Sequence, residues 1–66
     1  MHVDINGETR DIPESVNLRA LLELLSLSGQ RVAVELNKEV IRRSDWEKVF
    51  VANNDRIEII HFVGGG

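Results

Sequence analysis

The chain has 66 residues, no cysteine, 42% hydrophobic and 29% charged residues, a balance that fits one small folded domain and excludes disulfides, cysteine zinc sites and a cysteine nucleophile. Its formal charge is −3, and Arg42, Arg43 and Lys48 make only a thin basic stripe, so no nucleic-acid partner is expected. No apolar run approaches the roughly 18 residues that span a bilayer and the start lacks a basic-then-apolar signal pattern, so a cytoplasmic binding or carrier module with no membrane partner is expected rather than a free-standing enzyme.

Met1, Val3 and Ile5 alternate with His2, Asp4 and Asn6, which predicts a strand with one buried face. Asn6-Gly7 is a strong hairpin signal. Glu8 to Ile12 should return as a short or edge strand, because its alternation is poor and Pro13 cannot donate to a ladder. Asn17 is a suitable N-cap, with Val16 placed to staple onto Leu21. Leu18, Leu21, Leu22 and Leu25 recur at i, i+3, i+4 and i+7 and form one apolar stripe, which Leu24 and Leu27 widen. Gly29 is expected to end this helix in a left-handed conformation.

Val32, Val34 and Leu36 alternate with Ala33 and Glu35 and predict a third strand. Asn37-Lys38 reads as a turn, and Val40-Ile41 as a short apolar return. Ser44 is a candidate cap for one helical turn holding Asp45, Trp46 and Glu47. Val49 to Val51 is expected to be extended. Asn53-Asn54-Asp55 is a tight turn, and Arg56 to Val63 the last strand. This order predicts an α+β chain of the β-grasp type, with a mixed sheet of four to five strands packed on one main helix. The first and last strands would run parallel at its centre, with the helical segment supplying the crossover. The domain is expected to span residues 1–63, followed by a flexible glycine tail, 64–66.

Ile57, Ile59 and His61 share one parity on the last strand, and Glu58, Ile60 and Phe62 the other. If Ile57 and Ile59 face the helix, Ile60 and Phe62 face outward. Two large apolar side chains on a solvent face mark a partner site, unless a loop covers them, and the pattern leaves both readings open. Gly64, Gly65 and Gly66 bury no side chain and can thread a cleft too narrow for any Cβ. The α-carboxylate of Gly66 is ionised at neutral pH. It becomes an acyl donor only when joined to a good leaving group such as AMP, after which a sulfur nucleophile can take the acyl group. A frayed terminus is the alternative reading of the same residues.

His61 is placed to reach a partner's active site, or is simply a semi-exposed side chain, and His2 reads as a surface residue. These two histidines stand far apart in sequence, so no dedicated metal site is expected. Trp46 should bury its ring and find a partner for its indole N–H. Arg42-Arg43 reads as a solvated pair or as a contact for an acidic partner. No catalytic constellation and no phosphate-cradling loop is present in the sequence.

The block Val32-Ala33-Val34-Glu35-Leu36-Asn37-Lys38-Glu39-Val40-Ile41, then Arg43-Ser44-Asp45-Trp46, then Asp55-Arg56-Ile57-Glu58-Ile59-Ile60 and Val63-Gly64-Gly65-Gly66, resembles the ThiS family, the sulfur carriers of thiamine biosynthesis. The early Asn6-Gly7 turn is also similar to that family, and the likeness covers essentially the whole chain. Two loops depart from it: Arg42 stands where the family often has proline, and Asn53-Asn54-Asp55 where Asp-Gly-Asp is usual.

The resemblance implies a ubiquitin-like fold and a protein cosubstrate rather than an enzyme. By the same resemblance an E1-like adenylyltransferase would adenylate Gly66, consuming ATP, with no cofactor bound to the carrier itself. Sulfur from a cysteine desulfurase relay would then convert Gly66 to a thiocarboxylate, which thiazole synthase would use for the thiazole ring of thiamine. Gly64 and Gly65 would be the threading segment, and the outward parity of Ile60 and Phe62 makes them the expected docking residues for the adenylyltransferase. The small subunit of molybdopterin synthase, donating sulfur to a pterin precursor, is the nearest alternative. A ubiquitin-like modifier joined to target amines through Gly66, and a plain interaction module with an idle tail, are the others.

Overall fold

In a computed structural model, which describes residues 1–62, five strands form one mixed sheet. They are β1 (His2–Ile5), β2 (Glu8–Asp11), β3 (Val32–Leu36), β4 (Glu39–Ile41) and β5 (Arg56–His61). One helix, α1 (Leu18–Leu24), joins the two hairpins, and a 3-10 turn, Arg43–Asp45, follows β4. The strand order is β2-β1-β5-β3-β4, with β1 and β5 parallel and every other neighbour antiparallel. This is the expected β-grasp arrangement, with β5 in the middle.

Both hairpins use two-residue turns whose residues all have positive φ: Asn6 at 52° and Gly7 at 86°, and Asn37 at 51° and Lys38 at 72°. That backbone matches the twist of the flanking strands. It fixes the registers Ile5 with Glu8 and Leu36 with Glu39. β2 lies at one edge with all four residues exposed, as its poor alternation requires. Ile12 falls just beyond it and is buried, its N–H donating to the Met1 carbonyl at 2.8 Å.

The core lies between the sheet and α1. Leu18, Leu21 and Ile57 are wholly buried, with Val3 and Val34 next. Asn17 caps α1 by accepting the Ala20 N–H at 2.8 Å. Val16 and Leu21 on either side of that cap are both buried, as the staple predicts. Val49 to Val51 is extended, but it forms a single antiparallel bridge, Phe50 with Asn17, instead of a strand.

Three local expectations are corrected. The helix ends earlier than Gly29. Ser26 takes the left-handed position at φ 60°. Its N–H donates to Glu23 at 3.0 Å, and the Leu27 N–H donates to Leu22 at 2.8 Å, the paired bonds of a Schellman end. The reason is apolar: closing there returns Leu27 to the core, against which it packs. Leu24, expected to widen the buried stripe, is instead 54% exposed. Ser44 is not a cap either; it lies inside the 3-10 turn, whose cap position is Arg42, with no side-chain bond.

Candidate functional site

Alternation along β5 sends Ile57 and Ile59 into the core. Ile60 and Phe62 are therefore turned to the other face, where they are 49% and 52% exposed. This bears out the predicted parity, and among the described residues no loop covers them. Phe62 prolongs the pairing with β3, its N–H donating to the Arg31 carbonyl at 3.1 Å. On the same face Ala33 stands opposite Ile60, and Val40 of β4 is 67% exposed. The result is an apolar strip that leads along the sheet toward residue 63.

The strip is bordered by charge. Glu35 and Glu58 stand directly opposite each other between β3 and β5, and among the described residues neither forms an ion pair within 4.0 Å. A half-apolar, half-charged open face suits docking of another protein better than it suits a small molecule, which needs concavity.

Trp46 and Arg43 serve the fold, and the two histidines lie at the surface. Trp46 is buried, and its Nε1–H donates to the Ile41 carbonyl at 3.0 Å, so the ring is not presented to a ligand. Arg43 is not a free cation: its guanidinium lies 5.1 Å from the Trp46 ring centroid and donates to the Gln30 carbonyl at 3.2 Å. The His2 side chain is 68% exposed, with Nδ1 4.0 Å from the Asp11 carboxylate. His61 is exposed on the helix side of β5, away from Ile60 and Phe62. Among the described residues no group of acidic or histidine side chains is arranged to hold a metal. No described helix is long and apolar enough to cross a membrane. Gly64, Gly65 and Gly66, with Val63, lie outside the described residues.

One feature escaped the sequence reasoning. The Asn6 side chain accepts the Ile59 N–H at 2.8 Å and donates to the Ile59 carbonyl at 3.2 Å. The Asn-Gly pair signals a turn, and nothing in its local pattern signals a long-range partner.

A model of the ThiS family matches residues 3–66. The chain belongs to the ThiS family. Its fold matches the crystal structure of the thiamine biosynthesis protein ThiS from Geobacter metallireducens, with a TM-score of 0.88 and 35% identity over all of both chains. The sulfur carrier protein ThiS of Bacillus subtilis is 43% identical over 49 residues, 74% of each chain. The thiazole synthase of Paramagnetospirillum magneticum is 41% identical over 66 residues, all of this chain but 20% of that one. The chain thus spans about a fifth of the thiazole synthases it matches, and those enzymes contain a segment similar to a ThiS-family chain. The family match runs through the tail glycines as well as the sheet.

Proposed function

We propose that this ThiS-family chain is a sulfur carrier of thiamine biosynthesis, acting through the α-carboxylate of Gly66. The observation that carries this reading is the family match from residue 3 to residue 66, which takes in the strip at Ile60 and Phe62 together with Gly64, Gly65 and Gly66. The carboxylate is a poor acyl donor, so the first step joins it to AMP from ATP and releases pyrophosphate. The outer sulfur of a persulfide, delivered by a cysteine desulfurase relay, then attacks the acyl carbon and displaces AMP. A partner's thiol reduces the resulting acyl disulfide, taking the disulfide bond onto itself, and Gly66 carries a thiocarboxylate.

Each part of the chain has a role in that sequence. Ile60 and Phe62 supply apolar area for an E1-like adenylyltransferase. Gly64 and Gly65 let the backbone pass through a cleft that any Cβ would block. The carrier supplies no catalytic side chain and binds no cofactor, and ATP is consumed by its partner. It is a cosubstrate, not an enzyme. The thiazole synthases that contain a similar segment support thiazole synthase as the acceptor.

The test is fragment mass spectrometry after incubation with a thiamine-pathway adenylyltransferase, ATP and a sulfide source. Replacement of one oxygen by sulfur, localised to Gly66, is the expected result. Localisation matters because oxidation of Met1 adds nearly the same nominal mass. An unmodified Gly66, beside a carrier that is converted in parallel, overturns the proposal.

A further inference from the structure

Asn6 stands before Gly7, whereas Asn17, Asn37, Asn53 and Asn54 each stand before a residue with a side chain. Asparagine is thermolabile, because the backbone nitrogen that follows it can attack the side-chain amide carbon. Before glycine no Cβ shields that nitrogen. Neither burial nor crowding shields it here: Asn6 and Gly7 are both exposed, and a Cβ built on Gly7 would meet nothing within 4 Å. What stands in the way is hydrogen bonding.

Attack needs two things. The Asn6 carboxamide has to turn its flat face toward the Gly7 nitrogen, and that nitrogen has to give up its proton. The carboxamide is held on edge by a single residue of β5: Oδ1 accepts the Ile59 N–H at 2.8 Å, and Nδ2 donates to the Ile59 carbonyl at 3.2 Å. The Gly7 N–H donates to Oδ1 of Asp4 at 2.8 Å. Removing its proton would set a nitrogen anion against a carboxylate, and neighbouring negative charge disfavours that. The backbone between the two groups is fixed as well, at φ 52° and 86° in the two-residue turn. The Ile59 N–H does polarise the carbonyl it bonds, which favours attack. That effect counts only once the nitrogen is deprotonated and in reach, so the two restraints decide.

We propose that Asn6 is a deamidation site gated by the first hairpin: closed while Ile59 and Asp4 hold the turn, and open when the turn parts from β5. On opening, the Gly7 nitrogen bonds to Cγ of Asn6, the Cγ–Nδ2 bond breaks, and the proton from Gly7 leaves with Nδ2 as ammonia. Water then opens the cyclic imide at either carbonyl, giving aspartate or isoaspartate at position 6. Neither product restores the full pairing. Both lack the Nδ2 donor for the Ile59 carbonyl, and isoaspartate adds a carbon to the backbone of the turn. An opening that is reversible in the parent chain therefore leaves a permanent mark beside the strand that carries Ile60. Nothing in this step depends on the chemistry at Gly66.

The experiment is peptide mapping with fragment mass spectrometry of the full chain, aged at mildly alkaline pH either folded or unfolded in guanidinium chloride. Conversion at Asn6 should be at least about tenfold slower in the folded chain, as expected of a step that waits on local opening. Asp4→Ala frees the Gly7 N–H and keeps the Asn6–Ile59 bonds, so it should speed conversion in the folded chain by at least about threefold. Amide hydrogen exchange at Ile59 should be unchanged in that variant and faster in the isoaspartate product, which assigns the gain to the nitrogen and not to a loosened turn. Equal conversion rates in the folded and unfolded chain overturn the proposal. So does conversion in folded Asp4→Ala that stays at the parent rate, or that rises only in step with Ile59 exchange.

Discussion

Asn6 and Ile59 are paired as two strand residues would be, although one of them contributes a side chain. The carboxamide of Asn6 accepts the Ile59 N–H at 2.8 Å and donates to the Ile59 carbonyl at 3.2 Å, continuing the β1–β5 ladder after β1 has turned. Asn37, in the other hairpin turn, does the same in part: its Oδ1 accepts the Arg56 N–H at 2.9 Å. Each hairpin thus sends an asparagine to β5, the strand that carries the candidate docking residues.

Asn6→Gly keeps a residue suited to the positive φ of the turn and removes both bonds to Ile59. A net hydrogen bond contributes about 1 kcal/mol, so the loss should be about 2 kcal/mol. Asn6→Asp retains the acceptor but sets a carboxylate against the Ile59 carbonyl, and should fall no better than midway. Urea denaturation measures both. A change below a few tenths of a kcal/mol in Asn6→Gly would show that Ile59 is satisfied in another way.

Much of the architecture was legible because local and global signals agree. Asn6-Gly7 and Asn37-Lys38 announce turns, and the parity of Val3 and Ile5, Val32 and Val34, and Ile57 and Ile59 gives every buried face. The outward position of Ile60 and Phe62 followed from the same parity. What failed was decided by tertiary packing. Gly29 is the better residue for a left-handed helix end, yet Ser26 takes that position because Leu27 must return to the core. Leu24 fits the apolar stripe by spacing, but the helix ends before a wall exists to cover it. The bond between Asn6 and Ile59 spans most of the chain and has no local signature.

Ser26 therefore carries a strained backbone that glycine would relieve. A non-glycine residue in the left-handed region costs about 1–2 kcal/mol, while glycine adds about 0.4–1 kcal/mol of unfolded-chain entropy. Ser26→Gly should stabilise the protein by about 0.5 kcal/mol, read as a shift of the urea midpoint with unchanged slope. Gly29→Ala should destabilise, since Gly29 sits at φ 82°, a backbone conformation strained for any residue with a Cβ, even though an added Cβ would meet no neighbour.

Leu22 tests the core. It is 3% exposed and stands on the inward face of α1. Leu22→Ala should cost about 2–5 kcal/mol, from lost transfer energy and the cavity left behind. In a domain of this size that is a large part of the total stability. Thermal and urea unfolding check it. A cost under about 1 kcal/mol would mean that the sheet collapses onto the gap.

Ile60→Asp and Phe62→Asp separate docking from folding. Both positions are half exposed, so their effect on stability should stay within about 0.5 kcal/mol. Affinity for the adenylyltransferase should fall by at least about tenfold, the equivalent of about 1.4 kcal/mol, if these side chains lie near the centre of the contact. Titration calorimetry with the wild-type chain as reference measures the difference. Equal affinity would remove the sheet face from the docking account.

Deleting Gly65 and Gly66 separates the chemistry from everything else. Among the described residues the buried core runs from Val3 to Ile59, so the shortened chain should unfold within about 0.5 kcal/mol of the full one. Docking through Ile60 and Phe62 should persist in the shortened chain. Thiocarboxylate formation and sulfur transfer should be abolished, because the acyl carbon that accepts AMP is gone and the carboxylate of Gly64 falls two residues short of the nucleotide. A shortened chain that fails to fold would show that the glycines support the sheet. One that still transfers sulfur would remove Gly66 as the acyl site.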